Sequence, residues 1–105
     1  MREGRIYKLL DGVIANGSGQ AFQPLGAKRT FQANGLTSAG AGTADVDVQG
    51  SNDSENWTLI ATINLVLSTT PANGGVASDA PWRFVRGTVR NLTGTNAAVS
   101  LDMGQ

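Results

Sequence analysis

Four stretches of this chain alternate apolar and polar residues with a period of two, a pattern that fits a β-sheet with one buried and one wet face. From Thr43 to Gln49, Ala44, Val46 and Val48 point one way, and Asp45, Asp47 and Gln49 the other. From Trp57 to Leu65, Trp57, Leu59, Ala61, Ile63 and Leu65 share a face opposite Thr58, Thr62 and Asn64. Further on, Val85 and Val89 oppose Arg86, Thr88 and Arg90, and Val99, Leu101 and Met103 oppose Ser100 and Asp102. No stretch carries a helical period of useful length.

Weaker strand candidates are Ile6 to Leu10, Gly12 to Ala15, Ala21 to Gln23 and Arg29 to Ala33. Between the segments the punctuation is dense. Ala-Asn-Gly occurs at 15–17, 33–35 and 72–74, and each Asn-Gly predicts a turn because both residues tolerate positive φ. Further breaks are expected at Pro24-Leu25-Gly26, Ser38 to Gly42, Gly50 to Asn56, Thr70-Pro71 and Thr93-Gly94. Segments of this length, with turns about every ten residues, predict an all-β antiparallel sandwich of seven to eight short strands, jelly-roll or Ig-like. At 105 residues the chain is expected to form one domain. Residues 12–105 make up that sandwich. Residues 1–11, with Arg2, Glu3, Arg5, Lys8 and Asp11, form either an extended N-terminal arm or the first strand.

Composition removes most chemistry. The chain has no Cys and no His, so disulfides, thiolate catalysis, the usual general base and the commonest transition-metal ligand are all absent. A Ser nucleophile therefore lacks a base. Gly40-Ala41-Gly42 precedes a strand rather than a helix, which excludes a phosphate loop. The expectation is a protein that is not an enzyme, with no cofactor and no metal. Eight basic residues balance eight acidic ones, which argues against a nucleic-acid partner. No apolar run approaches the roughly 18 residues that cross a bilayer, and Ile6 to Leu10 is too short for the apolar part of an export signal, so neither membrane association nor export is expected.

The charges are segregated along the chain. Acidic residues alone occupy 31–80 (Asp45, Asp47, Asp53, Glu55 and Asp79), whereas Arg83, Arg86 and Arg90 cluster after them. Pairing of these arginines with acidic strand faces such as Asp45 and Asp47, within or between subunits, is the expected use. The turn Gly50 to Asn56 invites a calcium reading, but the EF-hand spacing that begins at Asp45 places Asn56 where a bidentate Glu is needed. Trp57, in phase with Leu59 and Ile63, is expected in the core. Trp82, after Pro81, is expected at a rim or interface. Arg2, Arg5, Tyr7, Trp82, Arg83, Arg86 and Arg90 are the candidate interface residues. Were the protein instead to bind a glycan, Trp82, Asp53 and Glu55 are the candidate contacts.

The run Gly42-Thr43-Ala44-Asp45-Val46-Asp47-Val48-Gln49-Gly50-Ser51-Asn52-Asp53, then Asn56-Trp57 and Ala61-Thr62-Ile63, resembles small virion structural proteins of tailed bacteriophages. So do Ala80-Pro81-Trp82-Arg83-Phe84-Val85-Arg86, Leu92-Thr93-Gly94-Thr95 and Val99-Ser100-Leu101. The Gly-Ser-Asn-Asp…Asn-Trp pattern is also similar to part of discoidin-type sandwiches, which bind glycans or lipids through loops at one end. The phage resemblance implies a capsid decoration (cement) protein, or a tail or connector component. It also implies a virion location, the major capsid protein or other virion proteins as partners, and a homo-oligomer, commonly a trimer. Residues 1–11 would fit the terminal arm that such proteins use.

Overall fold

The computed structural model describes residues 6–19, 21–23, 29–78 and 82–104. Eight strands are present among them: β1 (Ile6–Val13), β2 (Gly17–Ser18), β3 (Arg29–Leu36), β4 (Ala39–Ser51), β5 (Thr58–Leu67), β6 (Ala72–Ser78), β7 (Phe84–Thr95) and β8 (Ala98–Gly104). None of the described residues is helical. β1 pairs with β8, β2 with β7, β3 with β6 and β4 with β5, all antiparallel. Two further ladders, β3 with β8 and β4 with β7, join these pairs into the sheets β1-β8-β3-β6 and β2-β7-β4-β5. Nested pairing of this kind is one long hairpin rolled into two stacked sheets, the jelly-roll arrangement. Of the two architectures the sequence left open, the topology selects this one.

The alternating segments fill the space between the sheets. Ala44, Val46, Val48, Val85, Val89, Val99, Leu101 and Met103 are almost wholly buried, as their parity predicts. Phe31 and Leu67 complete the core from β3 and β5. Where parity breaks, a register shift explains it. Leu9 and Leu10 are consecutive yet both buried, because the β1–β8 pairing slips between Lys8 and Leu10. Ile6 to Asp11 thus belongs to strand β1, while Met1 to Arg5 lie outside the described residues.

Several sequence expectations need correction. Asn34-Gly35 and Asn73-Gly74 are not turns: both lie within strands, with Asn34 opposite Asn73 and Gly35 opposite Ala72 in the β3–β6 ladder. Neither glycine has positive φ. What they supply is the missing side chain, since a Cβ on Gly74 would meet Ile63 Cγ2 at 2.6 Å and one on Gly35 would meet Leu67 Cδ2 at 2.9 Å. Strand β6 was accordingly missed. The break expected at Ser38 to Gly42 falls inside β4 from Ala39 onward, and that at Thr93-Gly94 inside β7; the two strands run to 13 and 12 residues. The direction change comes just before β4, where Thr37, fully buried, donates from Oγ1 to the Gly40 carbonyl at 2.6 Å and from its backbone N–H to the Ser68 carbonyl.

Candidate functional site

The outward face of the β2-β7-β4-β5 sheet carries Asp45, Asp47, Arg86 and Arg90 of the singled-out residues. Register places them in rows across the strands. Asn64, Asp45 and Arg90 form one row, Thr62, Asp47, Thr88 and Ser18 the next, and Leu59, Gln49 and Arg86 the third. Hydrogen bonds tie the rows together. Arg90 grips Asp47 with two donors, Nε to Oδ2 and Nη2 to Oδ1, the latter at 2.9 Å, while Thr62 Oγ1 donates to Oδ1 at 2.7 Å. Arg86 Nε donates to Gln49 Oε1 at 2.7 Å, Thr88 Oγ1 donates to the same oxygen at 3.2 Å, and the Thr88 and Ser18 hydroxyls share a bond of 2.8 Å. Asn91 Nδ2 donates to Asp45 Oδ2.

Asp47 is nearly buried, and burial alone would raise its pKa. The bonds from Arg90 and Thr62, with the Arg90 charge, outweigh that and hold the carboxyl below its ordinary value. Arg90 is correspondingly pushed up, first by its hydrogen bond to Asp47 and then by the charge of Asp47.

Trp57 is not in the core. The β4–β5 register shifts between Val48, opposite Ala61, and Gln49, opposite Leu59, so Ile60 is an extra residue on β5. That bulge inverts parity for everything before it. Leu59 is consequently 56% exposed, and Trp57, half-buried, lies on the outer face with the Arg86 guanidinium 4.2 Å from its ring centroid. Sequence alternation alone carries no sign of a bulge; the one hint is that Ile60 is itself apolar and out of phase.

Trp82 packs against the core with its indole laid on Gly50, where an added Cβ would come within 2.7 Å of three ring atoms. Arg29, buried, donates from Nη2 to the Trp82 carbonyl at 2.8 Å. Arg83 is exposed, with its guanidinium 5.8 Å from the Phe84 ring centroid. In the β4–β5 turn, Asp53 Oδ1 accepts from Ser51 Oγ and from the backbone N–H groups of Glu55 and Asn56, and Oδ2 accepts from Asn56 Nδ2. Those backbone bonds, followed by the side-chain bonds, hold its carboxyl far below the ordinary carboxylate range. Asp53 therefore builds its own turn, and Glu55 is exposed beside it. Arg2 and Arg5 lie outside the described residues.

Among the described residues no three Asp or Glu side chains gather as a metal-binding group. An open depression of about 580 Å³ on the outer face of β3 and β6, lined by Thr30, Gln32, Asn73 and Gly75 among others, contains no titratable side chain. The face therefore offers hydrogen-bonding and packing surface.

No protein-family model matches the sequence, and no curated protein matches it. The fold is similar to the crystal structure of the PBSX exported protein XepA, with a TM-score of 0.58 and 15% sequence identity over 97% of this chain. The chain spans 36% of the length of that protein. At that identity the likeness is one of fold.

Proposed function

We propose that this chain is a phage virion structural protein, a capsid decoration protein that binds the head shell in several copies and stabilises it. The observation that carries the reading is the fold likeness, along almost the whole chain, to a phage-derived protein. It joins the resemblance of residues 42–103 to small virion proteins. A broad sheet face already held rigid by its own hydrogen bonds suits docking on a lattice, where many weak contacts add through avidity. No bond needs to be made or broken, which agrees with a chain that has neither His nor Cys. Its place would be the virion, with the major capsid protein as partner.

The test is to mix the purified chain with shells of the phage that encodes it, then sediment them and record the shell opening temperature. Co-sedimentation at saturable stoichiometry and a raised opening temperature are expected. A chain that stays in the supernatant overturns the decoration role, and gold-labelled chain found only at the tail moves the assignment to a tail or connector component.

A further inference from the structure

The two sides of this sandwich are finished differently. A sheet edge exposes unpaired backbone N–H and C=O groups, and proteins that stay monomeric blunt such edges with charge, proline, bulges or brevity. On one side, β2 has two residues, and β1 carries Lys8 and Asp11, two register shifts and Gly12 at φ +61°. On the other side the edges are β5 and β6, which stack on each other through Ile63 and Gly74. Neither contains a charged residue or a proline, whereas β1, β3, β4, β7 and β8 each contain at least one charge. β5 is ten residues long, and among the described residues nothing pairs with its outer side. It also bears Val66, 77% exposed, the most exposed large apolar side chain described.

We infer that β5 is the contact through which two copies of this chain pair, edge to edge and antiparallel, about a two-fold axis at Asn64. The regular part of β5 runs from the bulge at Ile60 to its end, Ala61 to Leu67, and Asn64 is its midpoint. Pairing about that point sets Asn64 against Asn64, Thr62 against Val66, Ile63 against Leu65 and Ala61 against Leu67. Facing residues then share a side of the sheet: Ile63, Leu65 and Leu67 point into the core, while Thr62, Asn64 and Val66 point out. Two carboxamides related by a two-fold axis are complementary, each donating to the other's oxygen. Charge selects the same occupant, because any charge on a self-pairing edge meets its own kind, and this edge has none. The product is two sandwiches sharing one continuous eight-stranded sheet. This two-fold contact takes the place of the trimer implied by the phage resemblance, and it stands whether or not the shell is the partner.

The chain alone tests it. Light scattering over a concentration series is expected to give twice 10.9 kDa for the unaltered protein. Asn64→Lys, at an exposed position, sets two like charges face to face and is expected to halve that mass while the circular dichroism spectrum stays the same. Asn64→Cys, in a chain otherwise free of Cys, is expected to give a covalent dimer on mild oxidation, and Thr58→Cys is not. A monomer or trimer for the unaltered chain, a dimer that survives Asn64→Lys, or an Asn64→Cys dimer that does not cross-link each overturns the pairing.

Discussion

Gly50 and Trp82 make one structural unit: the indole occupies the space that any other residue at position 50 would need. Gly50→Ala is expected to destabilise the protein by about 1–3 kcal/mol through overpacking, measurable by urea denaturation. Asp47 depends on its partners in a different way. Removing Arg90 leaves a nearly buried carboxylate with only the Thr62 bond. The Arg90 side chain is half exposed, so solvent screens part of the pair. Arg90→Ala is expected to lower the urea midpoint, and Asp47→Asn in the same chain to recover part of the loss, which a double-mutant cycle reads directly.

At the scale of elements, the bulge in β5 decides what Trp57 is. A core tryptophan cut to alanine costs about 3–5 kcal/mol. Because the bulge puts Trp57 on the outer face against Arg86, Trp57→Ala is expected to cost less than half of that; a loss in the core range would place the ring inside after all. The stacking of β6 on β5 gives a second expectation. Gly74→Ala meets the Ile63 γ2 methyl and should destabilise by about 1–3 kcal/mol. Ile63→Leu removes that methyl, so the double variant should be more stable than the sum of the singles predicts. These two elements also mark where the sequence misleads. Alternation located β4, β7 and β8 and their inward residues, because burial on one face leaves a period of two in the chain. β6 left no such trace: its inward residues include Gly74, which is there for lack of a side chain, and Asn-Gly reads locally as a turn. Trp57 was misplaced because one extra residue reverses parity without altering composition. Of the candidate site, pairing of the Arg83, Arg86 and Arg90 cluster with the acidic face of Asp45 and Asp47 was legible from charge and phase and is realised by Arg90 with Asp47. Arg86 turned instead to Gln49 and Trp57, and Gln49, Thr88 and Ser18 became a network only once register was known.

For the whole molecule, acid response follows from two carboxylates. Asp47 and Asp53 both have folded-state pKa values below their unfolded ones, so the unfolded chain binds more protons as the pH falls. The stability they contribute is present above the ordinary carboxylate range, about pH 4, and is lost as the pH drops through and below it. With no His in the chain, the urea midpoint is expected to be flat between about pH 5 and 7 and to fall below about pH 4. Asp47→Asn should make that fall shallower.

The rolled pairing also fixes an order of events during synthesis. β4 and β5, the most local pair, can form before β7 and β8 have left the ribosome, but β8 lies between β1 and β3 and is the last of these eight strands to be made. Until it arrives, the first sheet has a gap at its centre, and Val99, Leu101 and Met103 are missing from the core. Non-local closure of this sort is slow. The nascent protein therefore presents a finished, uncharged β5 edge while its body is still unfinished, which makes crowding of nascent chains a hazard for this fold.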